Sequence, residues 1–346
     1  MSKKSSQFFF PTTFILSFIA VLGIGTVAFF LFEGSGSGQE KDIIIPRGTP
    51  ISRVASLLAE EDVISRPKLF KILLRITNGA QRVRAGEYRF QLDMRPINAL
   101  YVLYHDEPIV HQVTIPEGWN VYQVADTLTE AKLVDREEFL KLALSPKTAA
   151  EYSLKAPHME GFLFPDTYFF SKTDGEKRII DTMVKRFLSE FTEQYRKEAR
   201  KMGFSLVQIV TLASIIEKET GVSEERELIS SVFHNRLKKK MRLQSDPTTI
   251  YGIKDFDGNL TRAHLQEKTA YNTYKIRALP PGPIANPGKA ALLAAISPAD
   301  SDYLYFVANN QGGHVFSRTY AEHNDYVNTY QRRRGSRRSN SSTKNN

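Results

Sequence analysis

The sequence predicts an α+β protein in three parts: a single N-terminal transmembrane helix, a repeated strand–helix–helix–strand module, and a mixed helical and β domain. Three observations carry this reading. Residues 8–32 hold no charged side chain, a run long enough to span a bilayer with some tilt. Two stretches, starting at Ile43 and Val113, repeat one pattern. From Gly175 onward the texture changes to long helices joined by loops rich in Asn, Ser, Pro and Gly.

Lys3 and Lys4 precede the apolar run and Glu33 follows it, so the positive-inside rule puts residues 1–7 in the cytoplasm. A cleaved signal peptide is the alternative. The apolar core is longer than a typical signal core and lacks an Ala-x-Ala end, which favours an uncleaved anchor over residues 8–32. Residues 33–42, with their Gly-Ser stretch, then read as a flexible linker to an extracytoplasmic domain on the far side of the membrane.

The repeats are IIIPRGTPISRVASLLAEEDVISRPKLFKIL and VTIPEGWNVYQVADTLTEAKLVDREEFLKLA. Placing Pro46 on Pro116 also places Gly48 on Gly118, Val54 on Val124, Ala55 on Ala125 and Leu58 on Leu128. Each copy reads as a short strand, a Pro-x-Gly turn, an amphipathic helix and a second helix, within residues 43–110 and 111–172. Residues 86–90 alternate like a returning strand, and 162–170 do the same after the second copy. The βααβ order and the "turn then VA..L" opening resemble the LysM carbohydrate-binding module. A purely structural stalk is the alternative.

Residues 173–330 form the third part. Residues 205–220 predict a helix opened by Ser205 and Gln208 in capping-box spacing and stopped at Gly221. A second helix is expected over 224–240, with acids in its first turn and lysines in its last. Asn286 and Pro287 read as the N-cap and first position of a helix ending near Ile296. Residues 303–308 and 314–316 read as a hairpin, and Thr319 with Glu322 caps a last helix.

At about 100° per residue, Leu206, Ile209, Val210 and Ala213 make an apolar stripe with Glu217 near its centre. Glu219 falls on the opposite side with Gln208, Thr211 and Lys218, facing water. A carboxylate on a buried face without a partner has its pKa raised and suits proton donation near neutral pH. A buried ion pair is the alternative. Other chemistries are poorly supported. The chain has no cysteine, and His234, His264, His314 and His323 show no short ligand spacing, so no metal site or cofactor is predicted. No GxSxG elbow, Walker A or Rossmann pattern occurs. Much of the +9 net charge lies in the basic tail, residues 331–346, and no nucleic-acid partner is expected. That tail either meets anionic envelope polymer or lipid headgroups, or stays solvated without a partner.

Loops with amides, hydroxyls and tyrosines, such as Gln244-Ser245-Asp246 and Asn272-Thr273-Tyr274, suit a polar, ring-shaped ligand, although each also fits ordinary turn chemistry. Together with LASIIEKET (212–220), VFHNRL (232–237), AYNTY (270–274), LPPGPIANPG (279–288), EGFLFPDTY (160–168) and GHVF (313–316), they resemble the MltG, or YceG-like, family of endolytic murein transglycosylases. The resemblance runs from the apolar segment to about Tyr330. It implies cleavage of the MurNAc-β-1,4-GlcNAc bond of peptidoglycan with 1,6-anhydro-MurNAc ends, and Glu217 as the catalytic residue. In this mechanism the sugar's own C6 hydroxyl attacks, so one carboxylate serves as acid and then base, where ordinary glycosidases need two. Asn235, Gln244, Ser245, Asp246, Asn272, Thr273 and Tyr274 are the expected substrate-binding residues. The implied partners are glycan strands, the inner membrane and penicillin-binding glycan polymerases, with strand elongation ended by cleavage. A hydrolytic muramidase and a non-catalytic peptidoglycan-binding scaffold are the rival readings.

Overall fold

A computed structural model describes residues 12–32 and 36–332. The expected cytoplasmic residues 1–7, the first residues of the expected anchor, 33–35 of the linker and 333–346 of the basic tail lie outside the described residues. The chain divides into two compact units, residues 1–111 with 169–173, and 112–168 with 174–346.

In the first unit the apolar segment forms α1 (Thr12–Phe32), 21 residues without a charge. Its apolar core by length and composition is Leu16–Thr26, and among the described residues no single helix is long and apolar enough to cross a membrane. The linker is shorter than its composition suggests: Gly36 N–H donates to Asp93 O and Ser37 N–H to Leu92 O, both at 2.9 Å. β1 (Glu40–Ile45) pairs antiparallel with β2 (Gly86–Gln91), Ile43 opposite Tyr88 and Ile45 opposite Gly86. Between them run α2 (Ile51–Glu60), α3 (Pro67–Ile76) and the short α4 (Gly79–Arg82); α5 (Pro96–His105) follows β2. Alternating Ile43, Ile45, Tyr88 and Phe90 meet Val54, Leu58, Phe70, Leu74 and Leu103 in one core.

The second copy of that sequence pattern follows, most of it in the second unit. β3 (His111–Thr114) and β4 (Thr167–Phe170) form a two-stranded sheet, with α6 (Val121–Glu130), α7 (Arg136–Ala143) and α8 (Pro146–Glu151) between them in sequence. Both segments run strand, three helices, strand, one helix more than the two expected. Gly48 and Gly118 both take φ near +75° (74° and 76°), the turn that only glycine adopts freely. Val54, Ala55, Leu58 and their counterparts Val124, Ala125 and Leu128 are all buried.

The remainder is mainly helical: α9 (Gly175–Glu190), α10 (Glu193–Lys201), α11 (Leu206–Glu219), α12 (Arg226–Lys238), α13 (Asp246–Tyr251), α14 (Arg262–Gln266) and α15 (Lys289–Ile296). The hairpin β5 (Tyr305–Ala308) and β6 (His314–Ser317) pairs Phe306 with Phe316, and α16 (Tyr320–Val327) ends it. The capping boxes at Ser205/Gln208 and Thr319/Glu322 both form.

Two expectations are corrected here. α11 is not amphipathic in place: it packs against α10, α12, α13 and α15, so every residue from Ile209 to Ile216 is buried, Thr211 included. A helix surrounded on all sides loses its solvent face, and its polar residues turn inward. Asn286 does not cap α15 either. Gly288 is the N-cap and the helix begins at Lys289. The side chain of Asn286 instead accepts from the N–H groups of Gly161 and Leu163 and donates to Trp119 O and Glu160 Oε1.

Candidate functional site

The last turn of α11 carries two glutamates that face different ways, because residues two apart on a helix diverge by about 200°. Glu217 is half-buried and its Oε2 accepts from Gly288 N–H at 3.1 Å. The Pro-x-Gly turn of the second module closes over it. Gly118 approaches so nearly that a β-carbon there would stand 3.5 Å from Glu217 Cγ, and Lys218 Nζ donates to Gly118 O at 3.2 Å. The turn is pinned by Gly118 N–H to Asn286 O (2.9 Å) and Asn286 N–H to Trp119 O (2.8 Å). These contacts all lie within the second unit.

Glu217 makes no salt bridge among the described residues. Burial pushes its carboxyl above the usual carboxylate range; Gly288 N–H opposes this, the charge of Glu117 reinforces it, and Arg226 and Lys218 oppose it. Glu117 is the neighbour that sequence reasoning missed. It presses on Gly288, where a β-carbon would fall 1.9 Å from its Oε1. Arg226 Nε has no hydrogen-bond partner among the described residues. Gly118 and Lys218, which adjoin Glu217, line a 290 Å³ cavity with Ile250, Tyr251 and others. A 660 Å³ cleft shares Asn120, Ile250 and Tyr251 with it.

Glu219 corrects the sequence reading. Its carboxylate does not face water: it accepts from Ser245 Oγ at 2.6 Å and lines a 580 Å³ cleft with Arg236, Gln244, Asp246, Tyr274, Tyr305 and His314. Burial raises its pKa, against the Ser245 hydrogen bond. In this cleft Tyr274 OH donates to Asp246 Oδ1 at 2.7 Å, and the Arg236 guanidinium lies 5.0 Å from the Tyr305 ring centre. The cleft walled by Tyr274, Tyr305 and Phe306 thus belongs to Glu219 rather than Glu217.

The expected substrate-binding residues divide by what their polar atoms do. Gln244, Asp246 and Tyr274 line the cleft. Ser245 is buried and reaches it through Glu219. Asn235 Nδ2 donates to Ser301 O and Tyr303 O, tying down the start of the hairpin. Asn272 is fully buried: Nδ2 donates to Glu267 O, His264 O and Leu265 O, and Oδ1 accepts from Thr249 Oγ1 and Tyr274 N–H. Thr273 Oγ1 accepts from Ser245 N–H at 3.0 Å and pairs with Thr248 Oγ1 at 2.8 Å. These two side chains shape the loops from inside.

Glu160 was also missed. It is wholly buried without a salt bridge among the described residues, accepting from Val121 N–H, Tyr251 OH and Asn286 Nδ2. Burial raises its pKa to about 8, against hydrogen bonds from Val121 N–H, Tyr251 OH and Gly161 N–H. The signal for it is a charge inside the apolar run Met159 to Phe164.

The YceG-like family pattern matches residues 43–329. The chain belongs to this family. A Bacillus subtilis protein described as an endolytic murein transglycosylase is 36% identical to this YceG-like chain over 300 residues, 82% of each. A Streptococcus pneumoniae protein of the same description is 28% identical over 313 residues, covering 81% of this chain but 56% of that longer protein. The crystal structure of a yceG-like protein from Listeria monocytogenes, 34% identical, aligns with a TM-score of 0.57 over 84% of the YceG-like chain and 99% of its own.

Proposed function

We propose that this protein is a membrane-anchored endolytic peptidoglycan lytic transglycosylase with Glu217 as its acid and base. The observation that carries the proposal is a desolvated glutamate with no ion pair among the described residues, packed against the Gly118 turn, in a chain of the YceG-like family. Glu219 is a weaker acid candidate because Ser245 Oγ already donates to its carboxylate.

Protonated Glu217 gives its proton to the glycosidic oxygen as the C1–O bond to the leaving GlcNAc breaks. The C6 hydroxyl of the same MurNAc then bonds to C1, and its proton returns to the Glu217 carboxylate. The anhydro ring forms, no water is consumed, and the acid is regenerated. Gly288 N–H steadies the carboxylate between the two steps. Gln244, Asp246 and Tyr274 hold the strand in the aromatic cleft, while Ser245, Asn235, Asn272 and Thr273 set the loops that present them. The α1 segment is the anchor and the βααβ units are LysM-like grips on the glycan. This puts cleavage at the inner membrane on new strands, ending their elongation beside penicillin-binding glycan polymerases.

Hydrolysis is the second reading, and one feature favours it: Glu117 supplies a second carboxylate near Glu217, as water-activating glycosidases require. Mass analysis of glycan ends released by the protein and by Glu217→Gln separates the readings. Anhydro ends lost in the variant support the transglycosylase; ends heavier by one water support the muramidase. Equal release by both proteins, or release by neither, removes Glu217 from the chemistry and favours a binding scaffold.

A further inference from the structure

The first unit carries an exposed face that its own core does not use. α3 buries Phe70 and Leu74, whereas Ile72 and Ile76 on its other side are 50% and 76% exposed. Lys68, Ile72, Arg75 and Ile76 follow helical spacing on one exposed stripe, with Lys71 at its edge. Between Asp62 and Glu87 the chain holds six cations, Arg66, Lys68, Lys71, Arg75, Arg82 and Arg84, and no acid. Lys68, Lys71 and Arg75 form no salt bridge among the described residues. Isolated exposed isoleucines are common, but two adjacent ones framed by unpaired cations match an interfacial helix.

Where this face lies points to its occupant. Gly36 and Ser37 are already hydrogen-bonded to Asp93 and Leu92, so the unit is held within about 14 Å of Phe32, four Cα steps at full extension. The Arg66 guanidinium, at the start of α3, stands 6.0 Å from the Phe29 ring centre near the end of α1, and α5 packs on α1 with Tyr101 exposed. If α1 is the anchor, this unit cannot leave the bilayer surface.

We propose that the exposed face of α3 docks on the bilayer, Ile72 and Ile76 entering the interface and Lys68, Lys71 and Arg75 meeting anionic phospholipid headgroups. The proposal rests on the anchor reading of α1. Docking fixes the orientation of the first unit, instead of leaving it to swing on a linker. Anionic lipid attracts such cations over roughly a Debye length, a distance comparable to the tether.

The natural chain has no cysteine, so one introduced thiol labels one position. Full-length protein carrying an environment-sensitive fluorophore at Ile76→Cys, Phe18→Cys or Glu137→Cys is reconstituted into phosphatidylcholine vesicles with or without phosphatidylglycerol. The expected result is a blue shift and loss of iodide quenching at position 76 only with phosphatidylglycerol, while position 137 stays aqueous and position 18 is lipid-buried in both. The Lys68→Gln, Lys71→Gln, Arg75→Gln variant abolishes the shift at position 76 without changing the melting temperature. An aqueous label at 76 beside a lipid-buried label at 18 overturns the docking and leaves the anchor standing. An aqueous label at 18 overturns both. A shift at 76 produced by polyphosphate, a model anionic wall polymer, on phosphatidylcholine vesicles overturns the lipid assignment.

Discussion

Glu117→Gln tests whether the structure explains the acidity of Glu217. Gly288 N–H lies 3.1 Å from Glu217 Oε2, and a β-carbon on Gly288 would lie 1.9 Å from Glu117 Oε1. With standard backbone geometry the two carboxylates are therefore within about 7.5 Å of each other. At that separation two negative charges repel by about 2.2 kcal/mol at an effective dielectric of 20, and about 0.6 kcal/mol in bulk water. Glu117 is exposed, so screening keeps the effect between these bounds. Removing its charge lowers the pKa of Glu217. Protonated Glu217 is the active form, so activity falls as pH rises through its pKa, and the variant's alkaline limb moves to lower pH. Initial rates of fragment release from uncrosslinked glycan strands, followed across pH as kcat/KM, read this limb in the free enzyme. An alkaline limb unmoved in an active Glu117→Gln protein refutes the coupling. Loss of activity at every pH gives Glu117 a chemical role and favours hydrolysis.

Other outcomes follow from the same geometry. Glu217→Gln is expected to lower kcat/KM by about 10²- to 10⁴-fold with thermal unfolding unchanged; full activity would remove Glu217 from the chemistry. Glu160 has a folded pKa of about 8, above its unfolded value, so the native state binds more protons and stability is lost as pH rises from about 4.5 toward 8. The loss amounts to at most about 4 kcal/mol, and urea unfolding at a series of pH values should show it flattened in Glu160→Gln. Asn286→Ala removes all four hydrogen bonds of a buried hub and should cost about 3 kcal/mol by urea unfolding; a cost below about 1 kcal/mol would mean the two loops hold without it. Asn272→Ala should lower stability by about 2 kcal/mol with KM unchanged, whereas Tyr274→Phe should raise KM with little change in melting temperature.

Local signals in the chain reached the level of elements. The charge-free segment, the two Pro-x-Gly turns, the capping boxes at Ser205 and Thr319 and the 303–316 hairpin all depend on neighbours a few residues away. The repeat was legible because each copy obeys the same local rules, and its buried positions coincide. α11 shows where periodicity stops being informative. A stripe can be read only when the other face meets solvent, and here four helices cover it, so Glu219 is half-buried with its carboxylate on Ser245.

Taken alone, the sequence determined an apolar N-terminal helix, a duplicated βααβ module, a mostly helical remainder and Glu217 as the glutamate to watch. Only the tertiary structure decided what surrounds it. Glu117, Gly288 and Asn286 are distant from Glu217 in the chain, and Asn286 looked like a helix cap until its side chain was found bridging Gly161, Leu163, Trp119 and Glu160. Capping and patterning act over a few residues and are written in sequence order. Desolvation and charge act through space, so they emerge only when the folded chain brings separate segments together.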